Sequence, residues 1–210
     1  MAISTGSPFG KLTGKLGSAI GFSWKNKNAV RSYAVPANPR TEAQQAVRLV
    51  MAHLVRIAKQ VLGSIIHKFW DPQAYGMSGY NFFLKANIPD MNGVFTPSAI
   101  HFSTGPLEPI PSFAPSYAND TGRVEINWQP IITSNGSPND LVVGVVYDEQ
   151  YRMTYVCDIG KKRSDVTMTF NIPADLDFNY LHAYLFAYRL DGSGKLEMVS
   201  PTSYQQMSES

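Results

Sequence analysis

Two glycine-lysine pairs, Gly10-Lys11 and Gly14-Lys15, carry the residue types of a phosphate-binding loop. Such a loop needs four residues between its glycines and a Ser or Thr after the lysine to hold magnesium. Here three residues separate Gly6 from Gly10 and Gly10 from Gly14, Leu12 and Leu16 follow the lysines, and no hydrophobic strand precedes them. The spacing argues against nucleotide binding. The histidines are equally unpromising. His53 and His67 lie fourteen residues apart on one expected helix, too far to share a metal, and His101 and His182 fall in separate expected strands. Asp175 and Asp177 are candidate partners for His182, yet no serine sits in a nucleophile elbow, so no triad assembles. Asp140, Asp148, Glu149, Asp158, Asp165, Asp175 and Asp177 fall mostly at expected strand ends, where such residues form turns. A calcium site in those loops is the functional alternative, and no glycosidase carboxylate pair can be picked out. Cys157, in the alternating stretch Met153-Thr154-Tyr155-Val156-Cys157, reads as a small core hydrophobe. No enzyme and no cofactor or metal is expected.

The chemistry that stands out is charge. Residues 1–70 carry ten basic groups and one acid, Glu42, a balance of +9. The remaining 140 residues carry eight basic groups and fifteen acids, a balance of −7, so the overall +2 conceals a strong dipole. Near the N-terminus Lys11, Lys15, Lys25, Lys27 and Arg31 interleave with Phe9, Phe22, Trp24 and Tyr33. Cations neutralise phosphates and aromatics stack on bases, so nucleic acid is one candidate partner. The acidic body of a neighbouring copy is the other, and opposite charges on the two parts favour head-to-tail association.

A chain of 210 residues with 44% hydrophobic and 12% aromatic residues is long enough to bury a core. With one cysteine it has no internal disulfide, so packing or assembly must hold it. No apolar run reaches about 18 residues, so no membrane span is expected. The start lacks the charged and apolar regions of a secretion signal, which makes a cytoplasmic origin the expectation.

The elements that would position the basic groups follow from pattern. Gly6, Gly10, Gly14, Gly17 and Gly21 mark residues 1–36 as a glycine-rich arm. Ile20, Phe22 and Trp24 alternate with small residues, Lys25–Asn28 reads as a turn, and Val30, Ser32 and Ala34 form a returning strand. In residues 37–95, Thr41 with Gln44 makes a capping box for a helix of about 22–28 residues. Its apolar stripe runs through Ala43, Ala46, Val47, Val50, Leu54, Ile57, Ala58, Val61, Leu62 and Ile65. Ser78 caps a second, shorter helix, which gives a helical hairpin. From residue 96 to 210 the period becomes two. Expected strands are Ile100–Ser103, Arg123–Trp128, Leu141–Tyr147, Arg152–Asp158, Val166–Ile172, Leu181–Arg189 and Leu196–Val199, with turns at 147–151 and 191–194. The fold class is α+β: basic arm and hairpin, helical hairpin, then an antiparallel immunoglobulin- or fibronectin III-like sandwich. Trp128 shares a face with Val124 and Ile126, like the early-strand tryptophan of fibronectin III domains.

The stretches Gly14–Lys25, Asn28–Tyr33 and Asn38–Arg48, the last reading "NPRTEAQQAVR", carry a resemblance. They resemble a family of small proteins from Bacteroidota and their phages and prophages, with no activity assigned. Similar starts occur in phage structural proteins. The resemblance implies a virion component (head, tail or decoration), assembled in the cytoplasm. The expectation is therefore a non-enzymatic structural protein and homo-oligomer that contacts copies of itself or other virion proteins through Lys11, Lys15, Trp24, Lys25, Lys27, Arg31 and Arg40. A nucleic-acid-binding protein using the same arm is the alternative. A carbohydrate-binding module using Tyr147, Tyr151 or Tyr155 is a third.

Overall fold

The computed structural model describes residues 2–4, 13–24, 27–35, 40–130, 132 and 134–209, which divide into two compact units, Met1–Thr41 and Glu42–Ser210. In the first unit, β1 (Ala2–Ser4), β2 (Gly14–Leu16), β3 (Ala19–Trp24) and β4 (Lys27–Ser32) form an antiparallel sheet in the order β1-β4-β3-β2. The β3–β4 pair is the expected hairpin, with Ile20 opposite Arg31 and Trp24 opposite Lys27, but Lys27 and Asn28, expected in the turn, belong to β4, and Ala34 lies past its end. Strands β1 and β2 flank it. Gly17, in the β2–β3 turn, has φ of 59°, a left-handed value that tight hairpin turns require and glycine adopts without strain.

The second unit is mixed α+β. Helix α1 (Glu42–Gln60) buries Val50, Leu54, Ile57 and Ala58, which are the central members of the expected stripe. Its first two turns bury no side chain, and Val47 and Leu49 are exposed. The single long helix expected to run past Ile65 does not form. The chain bends by 93° after Gln60 and continues as α2 (Leu62–Trp70), wound as a π-helix. The amides of Ile65 and Ile66 both donate to the Val61 carbonyl, at 2.9 and 3.1 Å, and that shared bond starts the wider turn. Gly63 and the β-branched Ile65-Ile66 pair favour an α-helix weakly, and all of Ile65, Ile66, Phe69 and Trp70 are buried. Helix α3 (Gly79–Asn87) begins where expected, with the Ser78 hydroxyl accepting the Asn81 amide. No single helix among the described residues is long and apolar enough to cross a membrane.

Nine strands follow: β5 (Phe113–Ala118), β6 (Arg123–Trp128), β7 (Leu141–Asp148), β8 (Met153–Cys157), β9 (Thr167–Asn171), β10 (Leu181–Leu190), β11 (Leu196–Val199), β12 (Ser203–Gln206) and β13 (Ser208–Glu209). One sheet has the order β11-β10-β7-β8, with β12 also on β10; the other has the order β13-β5-β6-β9. Six of the seven expected strands form within a residue or two of their limits. Ile100–Ser103 does not pair; it bends at Phe102 and inserts Ile100 and Phe102 into the core. Strand β5 escapes a sequence reading because Pro115 lies inside it. It is a sheet member through its pairing with β6 and a short parallel contact with β13.

The central pair β7–β10 is covered on both sides. Val142, Val146, Leu181, Ala183, Leu185 and Ala187 share a core with Val124, Ile126, Trp128 and Met168 of the facing sheet. Val143, Val145, Tyr184 and Phe186 point the other way and pack with Leu54, Ile57, Ile65, Phe69 and Phe83 of the helices. The boundary expected near residue 95 therefore separates segments with a common core. Gly144 permits the close approach of the sheets, since a Cβ there would lie 2.6 Å from the Met168 sulfur.

A buried carboxylate ties the sheet ends together. Asp140 is 1% exposed; it accepts from Arg189 Nε at 2.7 Å and from the Ser137 amide at 2.6 Å, with Arg163 Nε at 3.8 Å. Arg163 is wholly buried and donates to the carbonyls of Glu108 and Pro109. Removing Asp140 takes from that guanidinium the larger of its two counter-charges, Glu108 being the lesser. Asp140→Ala should lower unfolding free energy by about 3–5 kcal/mol, and Arg189→Ala, at the wetter end of the pair, by about 1 kcal/mol or less. Urea titration measures both, and equal losses would contradict the assignment of Arg163 as the stranded charge.

Candidate functional site

The candidate site is one face of the N-terminal sheet. Antiparallel register places directly opposed residues on the same side. Lys15 opposes Ile20, which opposes Arg31; Phe22 opposes Ala29; Trp24 opposes Lys27. These rows share a face. The Tyr33 amide donates to Ser18 at 2.6 Å, prolonging the ladder by one step. The Lys15 ammonium then sits 3.9 Å above the Tyr33 ring centroid, and the Arg31 guanidinium lies 5.9 Å from that of Phe22. Lys15 and Arg31 are exposed and Tyr33 is 44% exposed. The face thus alternates cations with aromatics, in a unit that contains no acidic residue.

Of the expected contact residues, Lys15 and Arg31 meet on this face, and Trp24 and Lys27 hold register positions on it. Lys11 and Lys25 lie outside the described residues. Arg40 is exposed and falls beyond the sheet, just before α1. Lys15 sits inside β2, which leaves Gly14-Lys15 as strand backbone rather than a loop around phosphate.

The second unit binds its own polar groups. Lys68 of α2 donates to Asp158 and, at 2.8 Å, to the Tyr188 hydroxyl, which reaches Asp158 at 3.1 Å. Burial alone would lower the Lys68 pKa, but the hydrogen bonds to Asp158 and Tyr188 outweigh it and hold the value above the ordinary lysine range. The partners of His182 are Glu149, at 3.3 Å, and the Tyr204 hydroxyl, at 3.0 Å; neither Asp175 nor Asp177 bonds to it. This pairing was illegible in the sequence because Glu149 comes from the β7–β8 turn and reaches across to β10. His53 and His67 fall on opposite sides of the helix bend. Cys157 is buried and its thiol is pushed up to about 11, chiefly by burial, consistent with a core residue. Tyr147 is 1% exposed and cannot stack on a sugar; Tyr151 is exposed and Tyr155 half-buried. Among the described residues no group of three or more His, Cys, Asp or Glu side chains could hold a metal ion.

Burial holds the pKa of both His182 and His53 below the ordinary value of 6.5; the Glu149 hydrogen bond opposes this at His182, and the Arg152 charge reinforces it at His53. The unfolded chain then binds these protons more readily than the folded one. The stabilising contribution is present above about pH 6.5 and lost as pH falls through the folded value. The urea midpoint should drop between about pH 7 and pH 5, above the carboxylate range, and the drop should shrink in His182→Gln. A midpoint unchanged over that window would refute the assignment.

Compared with models of known families and with curated proteins, the chain finds no match, so its function rests on the residues just described.

Proposed function

We propose that this chain is a non-enzymatic interaction protein whose N-terminal sheet docks through its cationic face onto an acidic protein surface. The partner is another copy of the chain or another component of a phage head, tail or decoration layer, assembled in the cytoplasm and carried in the virion. One observation carries the docking reading. The Met1–Thr41 unit holds six basic residues and no acid, whereas Glu42–Ser210 holds twelve basic and sixteen acidic residues, a balance of −4. The basic face of one copy and the acidic body of the next attract each other, and repeated head-to-tail contact builds an assembly. A second observation supports it: among the described side chains of the first unit, only Ala29 is fully buried. So small a sheet gains little from its own core and needs a surface to pack on.

The virion assignment rests on the resemblance of residues 14–48. The body is proposed to be an immunoglobulin- or fibronectin III-like sandwich. Its support is the order β5-β6-β9 facing β8-β7-β10-β11, with Trp128 ending the second strand of the first sheet. The interleaving of Lys15 and Arg31 with Phe22 and Tyr33 favours a second reading, in which the same face binds single- or double-stranded nucleic acid.

Light scattering on the full chain at about 50 and about 500 mM salt, with and without a short DNA duplex, separates the two readings. Multimers that form without DNA, and that Lys15→Glu/Arg31→Glu reduces to monomer, support docking onto protein. A monomer that binds DNA only at low salt moves the function to nucleic acid; charge reversal should then flatten the slope of log K against log salt by about two. A monomer that ignores DNA in both salts refutes both readings.

A further inference from the structure

In the second unit, a groove of about 270 Å³ runs between α1 and the β7–β8 turn. His53, Arg56, Leu49 and Ile57 line it on the helix side, and Tyr147 and Arg152 on the sheet side. His53 stacks on Phe95 with ring centroids 4.6 Å apart, which fixes its plane. Its Nδ1 is buried and has no hydrogen-bond partner. Arg56 and Arg152 are exposed, and neither makes an ion pair among the described residues. Guanidinium groups that line one groove suit an oxyanion. Two cations, Arg56 and Arg152, line this one together with the His53 ring.

We infer that this groove binds a phosphate group, held between Arg56 and Arg152 and beside the His53 ring. A carboxylate presents two oxygens, whereas two guanidiniums offer more N–H donors than two oxygens can use; a phosphate's terminal oxygens match them better. The volume, below the range of pockets for drug-sized ligands, fits one such group and a few attached atoms. The charges facing His53 are Arg56 on α1 and Arg152 and Glu149 on the β7–β8 turn, and Glu149 is already engaged by His182. Burial, then Arg152, then Arg56 lower the His53 pKa, with Glu149 opposing, so an anion between the arginines should raise it. Tyr147, pushed up to about 12 chiefly by burial, remains a proton donor at neutral pH. This site is independent of the N-terminal sheet and of its proposed partner.

The test titrates the full chain with inorganic phosphate, following the His53 imidazole by NMR at ionic strength held constant with chloride. Saturation in the low-millimolar range (a Kd of about 1 mM) and a higher His53 pKa in phosphate than in chloride are expected. Arg56→Gln/Arg152→Asn should raise that Kd at least tenfold and remove the pKa difference. Asparagine tolerates the φ of 55° at Arg152. If the double variant does not fold, Arg56→Gln, on an exposed helix position, gives the same readout. Identical behaviour in chloride and phosphate, or binding that survives the substitutions, overturns the inference. Glycerol phosphate and dimethyl phosphate identify the source: stronger binding of the monoester assigns the site to terminal phosphates, and equal binding assigns it to phosphodiesters.

Discussion

Strands β7 and β10 have no face for water. Every residue from Val142 to Asp148 and from Leu181 to Tyr188 is buried, so the pair is stable only with a layer on each side. One layer is the β5-β6-β9 sheet, which supplies Trp128, Ile126 and Met168; the other is the helical segment, which supplies Leu54, Ile65 and Phe69. Loss of either would strand a row of valine, leucine and aromatic side chains in solvent, each worth roughly 1.5–3 kcal/mol of burial. The polar pins follow from the same constraint. Trp70 and Trp128, driven into these two cores, each bring a ring N–H that must be satisfied, and they donate to the carbonyls of Phe102 and Arg163 at 2.8 Å. The Asp140 node then fixes Arg163 and Arg189 around the edge of the same pair.

Much of this was legible in residues read one at a time. Arg123–Trp128 alternates cleanly because it has one wet face, and its limits came out directly. The run Val142-Val143-Gly144-Val145-Val146 carries a different signal. It does not alternate, and a strand without a polar phase is one covered on both sides. Read as one more strand of period two, it gave no notice of a third layer, and nothing local to α1 or α2 specifies which sheet they cover. The bend after Gln60 was hidden for a related reason. The stripe Val50, Leu54, Ile57, Val61, Ile65 continues helical spacing straight through the break, and only the sharing of the Val61 carbonyl by two amides reveals the change of winding.

The candidate site divides in the same way. Alternation along β3 and β4 together with one tight turn fixes register, and register alone brings Lys15, Phe22 and Arg31 to one face. Those are short-range facts, available to a sequence reading. The groove at His53 joins a helix to a turn nearly a hundred residues away, and only three-dimensional packing brings Arg56 and Arg152 to one lining. The partners of His182 escaped for the same reason.

The two units use charge differently. In the body, Lys68, Asp158 and Tyr188 satisfy one another, as do His182, Glu149 and Tyr204, and Asp140 is spent on two arginines. Each set crosses between elements and is committed to holding them together. Exposed cations stand apart from these sets: Arg56 and Arg152 line a groove, and Lys15 and Arg31 lie on an open sheet face with no carboxylate in their own unit. Desolvating such cations is unfavourable unless an anion replaces the water, so the surfaces they line are most stable when occupied by a negatively charged partner.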